Sequence, residues 1–177
     1  DTGDTNYTAI AGLCPDDVLR VCWLEATPDW QRLETLLRQF NVSFFVVDAR
    51  PEKVAAKRLC HAEGLHGAIC YFAGEGFRAE QEDANTATPT LAIKIGRTEA
   101  IDQMADMVRA GLLRLPSPRL DVVQTAKQHC KRLVKDLRPD GTYEYVRGLE
   151  DLFALALVYL VLARQAAEAL GLGPAER

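Results

Sequence analysis

The stretch Ser43-Phe44-Phe45-Val46-Val47-Asp48-Ala49-Arg50-Pro51 decides the fold. A short continuous apolar run ended by turn residues reads as a strand buried on both faces, the kind that helices cover in an α/β sheet. The run ends on an acid, so a carboxylate stands at the strand's carboxyl edge. On its amino side, Asp29 to Phe40 places Leu33, Leu36, Leu37 and Phe40 at helical spacing behind the cap signal Thr27-Pro28-Asp29. On its carboxyl side, Lys53 to Leu65 predicts a second helix and His66 to Phe72 a further strand.

The same reading extends to both ends. Tyr7 to Cys14 and Val18 to Glu25 are β-rich runs separated by Pro15-Asp16-Asp17, which predicts a hairpin. Ala73 to Pro89 is polar and predicts a long exposed loop, after which Thr90 to Ile95 resumes as strand. Thr98 to Leu113 carries Ile101, Met104, Met107 and Val108 at helical spacing. Leu120 to Leu137 predicts another amphipathic helix, with Lys127, Lys131, Arg132 and Lys135 on its polar face. Arg138-Pro139-Asp140-Gly141 then turns into a strand over Thr142 to Val146. A last helix runs from Glu150-Asp151 to about Leu170, where Gly171 and Gly173-Pro174 stop it. The pattern predicts an α/β fold: one domain over 1–177, with a mixed sheet flanked by helices on both faces.

Composition narrows the class. The 177 residues are 48% hydrophobic and 26% charged, as in an ordinary globular chain. The longest apolar run, Leu152 to Ala163, falls short of the roughly 20 residues of a membrane span and reads as a buried core helix, so no membrane partner is expected. The acidic start, Asp-Thr-Gly-Asp, has neither the basic nor the apolar part of a secretory signal. Five cysteines with no CxxC spacing signal neither a disulfide framework nor a zinc site, which suits a reducing compartment. His61 and His66, near Cys60, read as solvent-facing residues at a helix end. Net charge is −4, yet Lys94 to Arg138 holds ten Lys or Arg against five Asp or Glu, so a basic face is expected on an acidic protein.

Three acids mark the candidate chemistry: Asp1 before the first hairpin, Asp48 after the buried strand, and Asp151 at the start of the final helix. Ligands of open α/β sheets gather beyond the carboxyl ends of strands, and hard divalent cations take carboxylate oxygens from several elements. Two such ions, Mg2+ or Mn2+, suit phosphodiester cleavage. Each acid also has a plain structural use, Asp48 as a strand end and Asp151 as a helix cap.

In order, Asp1-Thr2-Gly3, Phe44-Phe45-Val46-Val47-Asp48, Gly96-Arg97-Thr98-Glu99-Ala100-Ile101-Asp102, Leu113-Arg114-Leu115-Pro116 and Glu150-Asp151-Leu152-Phe153-Ala154-Leu155-Ala156 with Tyr159 resemble the C-terminal nuclease domain of the large terminase subunits that cut and package tailed-phage DNA. The resemblance spans nearly the whole chain. It implies an RNase H-like fold, metal binding by Asp1, Asp48 and Asp151, and endonuclease cleavage of duplex DNA with little sequence preference. The resemblance leaves open whether Glu150 shares or replaces the last of these roles, with Asp151 expected as the main ligand. It further implies work in the cytoplasm of an infected host cell, beside the motor ATPase domain, the portal and the small terminase subunit. The phosphate-binding pattern GxxxxGK[ST] of that ATPase domain does not occur in the sequence. An RNase H-like first strand precedes its acid, so residues upstream of Asp1 are expected. Lys94, Arg97, Lys127, Lys131 and Arg132 are the expected DNA phosphate contacts.

Asp-Thr-Gly also opens the active-site loop of aspartic proteases, but that fold is all-β and no second triplet occurs here. The acids Asp1 and Asp4 are too widely spaced for the phosphatases that use a pair near the N-terminus. Two alternatives stay open: an RNase H-like module that binds DNA or a packaging partner without cutting, and a junction or transposition nuclease on the same fold.

Overall fold

Pro15, Asp16 and Asp17 close a hairpin between β1 (Asn6–Leu13) and β2 (Leu19–Thr27), where the Cys14 N–H donates to the Val18 carbonyl at 2.9 Å. So short a connection permits only antiparallel neighbours. Asp29 then caps α1 (Trp30–Gln39), its Oδ1 accepting the Gln31 N–H at 2.8 Å. There follow β3 (Phe45–Asp48), α2 (Lys53–Cys60), β4 (Gly67–Phe72), β5 (Arg78–Glu82), β6 (Thr90–Ile95), α3 (Arg97–Arg109), β7 (Leu113–Arg114), α4 (Asp121–Lys131), β8 (Lys135–Leu137), β9 (Tyr143–Tyr145) and α5 (Leu152–Ala169). The structure, a computed structural model, describes residues 5–146 and 151–172. It is a mixed α/β protein. Among the described residues the strands form three sheets, β1-β2-β7, β3-β4-β6-β5 and β8-β9, where a single mixed sheet was expected.

The chain divides into two compact units, one of Asp1–Asn6, Ala26–Gly96 and Tyr159–Arg177, the other of Tyr7–Glu25 and Arg97–Val158. The first holds the four-stranded sheet. β3 lies parallel to β4 with Phe45 opposite Gly67 and Asp48 opposite Cys70, and β4 lies parallel to β6 with Ile69 opposite Ala92. Leu33 and Leu37 of α1 pack with Phe45, Leu59 and Leu65, while Ala49, Ala56, Ile69 and Ala92 form a neighbouring cluster. The register has a steric reason. A Cβ on Gly67 would meet the Phe45 ring at 2.3 Å, so only glycine fits opposite that phenylalanine.

Two expectations are corrected in this unit. Residues 73–89 contain β5, which pairs antiparallel with β6, Arg78 opposite Lys94 and Glu82 opposite Thr90. β5 is an edge strand exposed along most of its length, and its sequence, Arg-Ala-Glu-Gln-Glu, lacks the apolar alternation that announces a strand. The second helix ends at Cys60 instead of Leu65, and the chain turns through Gly64 at φ 71°.

In the second unit β7 runs parallel to β2, with Leu19 opposite Leu113. α3 ends in a Schellman motif at Gly111: the Gly111 N–H donates to the Val108 carbonyl and the Leu112 N–H to the Met107 carbonyl, at 3.1 and 2.8 Å. The helix expected over Leu120 to Leu137 stops at Lys131. Residues 135–137 instead pair with Tyr143–Tyr145 across the Arg138–Thr142 turn, and Val146 donates to the Val134 carbonyl at 2.9 Å. Ladder bonds to β9 take the backbone groups that more helix would have used.

The first turns of α5 belong to the second unit and the rest to the first. α5 has the length and apolar composition of a membrane span, and 50% of it is buried inside the protein. Phe153, Ala154, Leu157, Val158 and Leu162 are among its buried residues.

Candidate active site

Asp48 closes β3 at the carboxyl end of the parallel strands, where α/β sheets place their functional groups. Its side chain is half-buried and held at both oxygens. Oδ1 accepts the Arg50 N–H at 2.9 Å, and Oδ2 accepts the Tyr159 hydroxyl at 2.7 Å. Tyr159 comes from α5, and its ring stacks on Phe72, the last residue of β4, at 5.6 Å and 17°. Burial pushes the Asp48 carboxyl above its ordinary value, against the opposing pull of the Arg50 amide, the Tyr159 hydroxyl and the Arg50 charge. Across the ladder, burial and then the Asp48 charge push the Cys70 thiol up to about 12, which leaves it protonated and without nucleophilic use.

Asp151 stands at the head of α5 in the second unit. Its backbone carbonyl accepts the Leu155 N–H at 3.0 Å, the first bond of the helix. Its side chain is 5% exposed and its Oδ2 lies 2.6 Å from Arg97 Nη2, whose own side chain is 13% exposed. Arg97 Nη1 also donates to the Tyr145 carbonyl at 3.1 Å. The guanidinium expected on DNA phosphate is thus committed inside the protein. Beside the pair lies His129 of α4, 8% exposed, whose Nδ1 accepts the Phe153 N–H at 3.1 Å. That bond requires a neutral ring with the proton on Nε2. Burial and then the Arg132 charge lower the His129 pKa, opposed by Asp151.

Of the other sites expected from sequence, Asp1 and Glu150 lie outside the described residues. Lys94, on β6, forms an ion pair with Glu80 of the neighbouring edge strand. Lys127 is half-buried on α4, while Lys131 and Arg132 are exposed at that helix's end. Lys135 leaves the expected helix face for β8, where it meets Asp102 at 2.6 Å. His61 and His66 are exposed, as expected, and His61 Nε2 also lies 2.9 Å from the hydroxyl of buried Thr90.

Among the described residues no three His, Cys, Asp or Glu side chains are grouped to hold a metal ion. Asp48 offers suitable chemistry. Each of its oxygens takes one hydrogen bond and keeps lone-pair capacity for a hard cation. Among the described residues, no cation forms an ion pair with it. Sequence reading missed the partners of these acids: Tyr159 is 111 residues from Asp48, and Arg97 is 54 from Asp151. The one available signal was that Arg97 and Tyr159 fall within the segments that carry the terminase resemblance. No protein-family model, curated protein or solved structure matches the chain.

Proposed function

We propose that this chain is an RNase H-like nuclease domain of a viral DNA-packaging motor, which cuts duplex DNA by metal-dependent phosphodiester hydrolysis. The observation that carries the reading is the setting of Asp48: a half-buried carboxylate at the carboxyl end of a parallel strand, fixed by two hydrogen bonds and paired with no cation among the described residues. Burial alone works against its charge, and a divalent cation would favour the ionised form. The order of the terminase-like segments supports the same reading.

Asp48 would hold Mg2+ or Mn2+; the resemblance implies Asp1 and Asp151 as further acids, with Glu150 able to share or replace the last role. Bound ions of this kind activate a water and stabilise the leaving oxygen. Arg50 and Tyr159 orient the carboxylate, and Lys127, Lys131 and Arg132 meet DNA phosphates without reading sequence. The proposed setting is the cytoplasm of an infected host cell, with the motor ATPase domain, the portal and the small terminase subunit as partners. For Asp151 the pairing with Arg97 favours a structural role, and it also favours a second reading, a module that binds DNA or a packaging partner without cutting.

Digestion of supercoiled plasmid with Mg2+, Mn2+ or EDTA, beside an Asp48→Ala variant, tests the proposal. Nicking and linearisation by the parent with metal, and none by the variant, is the expected result. A variant that cuts at the parent rate removes Asp48 from the site. Binding of DNA without cutting under any metal favours the non-catalytic module.

A further inference from the structure

Tyr159 is a tyrosine in an otherwise apolar stretch of α5, between Val158 and Leu160. Tyr159 is half-buried, and phenylalanine would fill nearly the same volume without the hydroxyl. The hydroxyl has a partner, Asp48 Oδ2 at 2.7 Å, and the ring has a support, Phe72 at 5.6 Å and nearly parallel. The support matters because Phe72 ends β4, the strand paired with β3, so the ring that carries the hydroxyl is stacked beside the strand that carries the acid. The Arg50 N–H fixes the other oxygen from the chain immediately after the strand. Together these contacts leave the carboxylate one orientation, with unused lone pairs on both oxygens.

We propose that Tyr159 is a positioning residue for Asp48: its hydroxyl, braced by Phe72, sets the carboxylate in the orientation that takes a divalent cation. The inference rests on the nuclease reading of Asp48 and adds a residue and a role to it. Groups that orient a metal-binding side chain typically change metal affinity by about 10–100-fold when removed. Tyr159→Phe keeps the ring on Phe72 and removes only the hydroxyl, while Phe72→Leu removes the ring beneath it.

The test is direct binding of Mn2+, followed by the loss of the free-ion electron paramagnetic resonance signal, for the parent, Asp48→Ala, Tyr159→Phe and Phe72→Leu. Melting temperatures are taken on the same samples. Loss of binding in Asp48→Ala, with binding about tenfold weaker in Tyr159→Phe at an unchanged melting temperature, is expected. Phe72→Leu should fall between the parent and Tyr159→Phe. If Asp48→Ala loses binding and Tyr159→Phe binds as the parent does, the positioning role is overturned and the nuclease reading stands. If Asp48→Ala binds like the parent, or the parent binds no Mn2+ at millimolar concentration, the metal reading of Asp48 fails and this inference falls with it. A plasmid assay over a range of Mg2+ separates the same cases: Tyr159→Phe should need more metal for half its maximal rate and approach the parent rate at saturation.

Discussion

Arg97 Nη2 lies 2.6 Å from Asp151 Oδ2, and both side chains are largely withdrawn from solvent. A buried pair of this kind has little net effect when intact but is costly to break, because the survivor is left as an uncompensated charge. Arg97→Met is therefore expected to destabilise the protein by about 3–5 kcal/mol, and Asp151→Leu by a similar amount. The double variant should recover most of the loss, since neither charge is then stranded. Urea denaturation of the four proteins measures the coupling. Two single losses that simply add in the double variant would show that the pair does not act as a unit.

The pair also shows where sequence reading stops. The positions of most elements were legible because each is a local pattern: Asp29 before α1, Gly171 after α5, and the Pro15 to Asp17 turn between β1 and β2. Asp48 was legible as an acid at the end of an apolar strand. The Arg97–Asp151 and Tyr159–Asp48 bonds were not, since they join distant segments and depend on how elements pack. β5 escaped for a different reason. An exposed edge strand has no buried face to impose alternation, so its residues read as loop. Residues 133–137 erred the other way: Leu133, Val134 and Leu137 continue a helix-like spacing, while ladder bonds to β9 hold 135–137 extended.

The contact between Phe45 and Gly67 predicts a register-sensitive core. Gly67→Ala places a methyl carbon within 2.3 Å of the ring, too close for any real packing, so the β3–β4 pair must shift. Overpacking of this kind costs about 1–3 kcal/mol. Phe45→Leu in the same chain clears the ring and should restore part of the loss, whereas Phe45→Leu alone should destabilise through the cavity it leaves. Thermal melts of the two single variants and the double variant check the sign of the coupling.

His129 predicts a pH effect on stability. Its folded pKa lies below the ordinary value of 6.5, so the unfolded chain takes up a proton at a pH where the folded ring stays neutral. The groups around it are the Tyr7 and Phe153 rings, the Arg132 charge and the Asp151 carboxylate. Above about pH 6.5 the ring is neutral in both states and costs nothing. As the pH falls through 6.5 toward the lower folded value the protein loses stability, and below that value the loss is complete. His129→Gln keeps an acceptor for the Phe153 N–H without a titrating group. The difference in urea midpoint between pH 7.5 and pH 5 should be smaller in this variant than in the parent. Equal differences would mean that the ring does not contribute to the acid sensitivity.

The basic end of α4 yields a prediction that separates electrostatic binding from chemistry. Lys127 and Lys131 are one helical turn apart, so their side chains share a face. If both meet phosphate, Lys127→Gln with Lys131→Gln should weaken binding of duplex DNA most at low salt. It should also flatten the plot of log affinity against log salt, by about 0.9 for each phosphate that is no longer neutralised. The loss should be the same for unrelated DNA sequences, because phosphate contacts carry no base information. Neither residue belongs to the setting of Asp48 or to the buried Arg97–Asp151 pair, so melting and Mn2+ binding should be unchanged. Fluorescence anisotropy of labelled duplexes over a salt series decides the matter. An unchanged slope would assign this face of α4 to solvent and leave the DNA path to be sought along other basic residues.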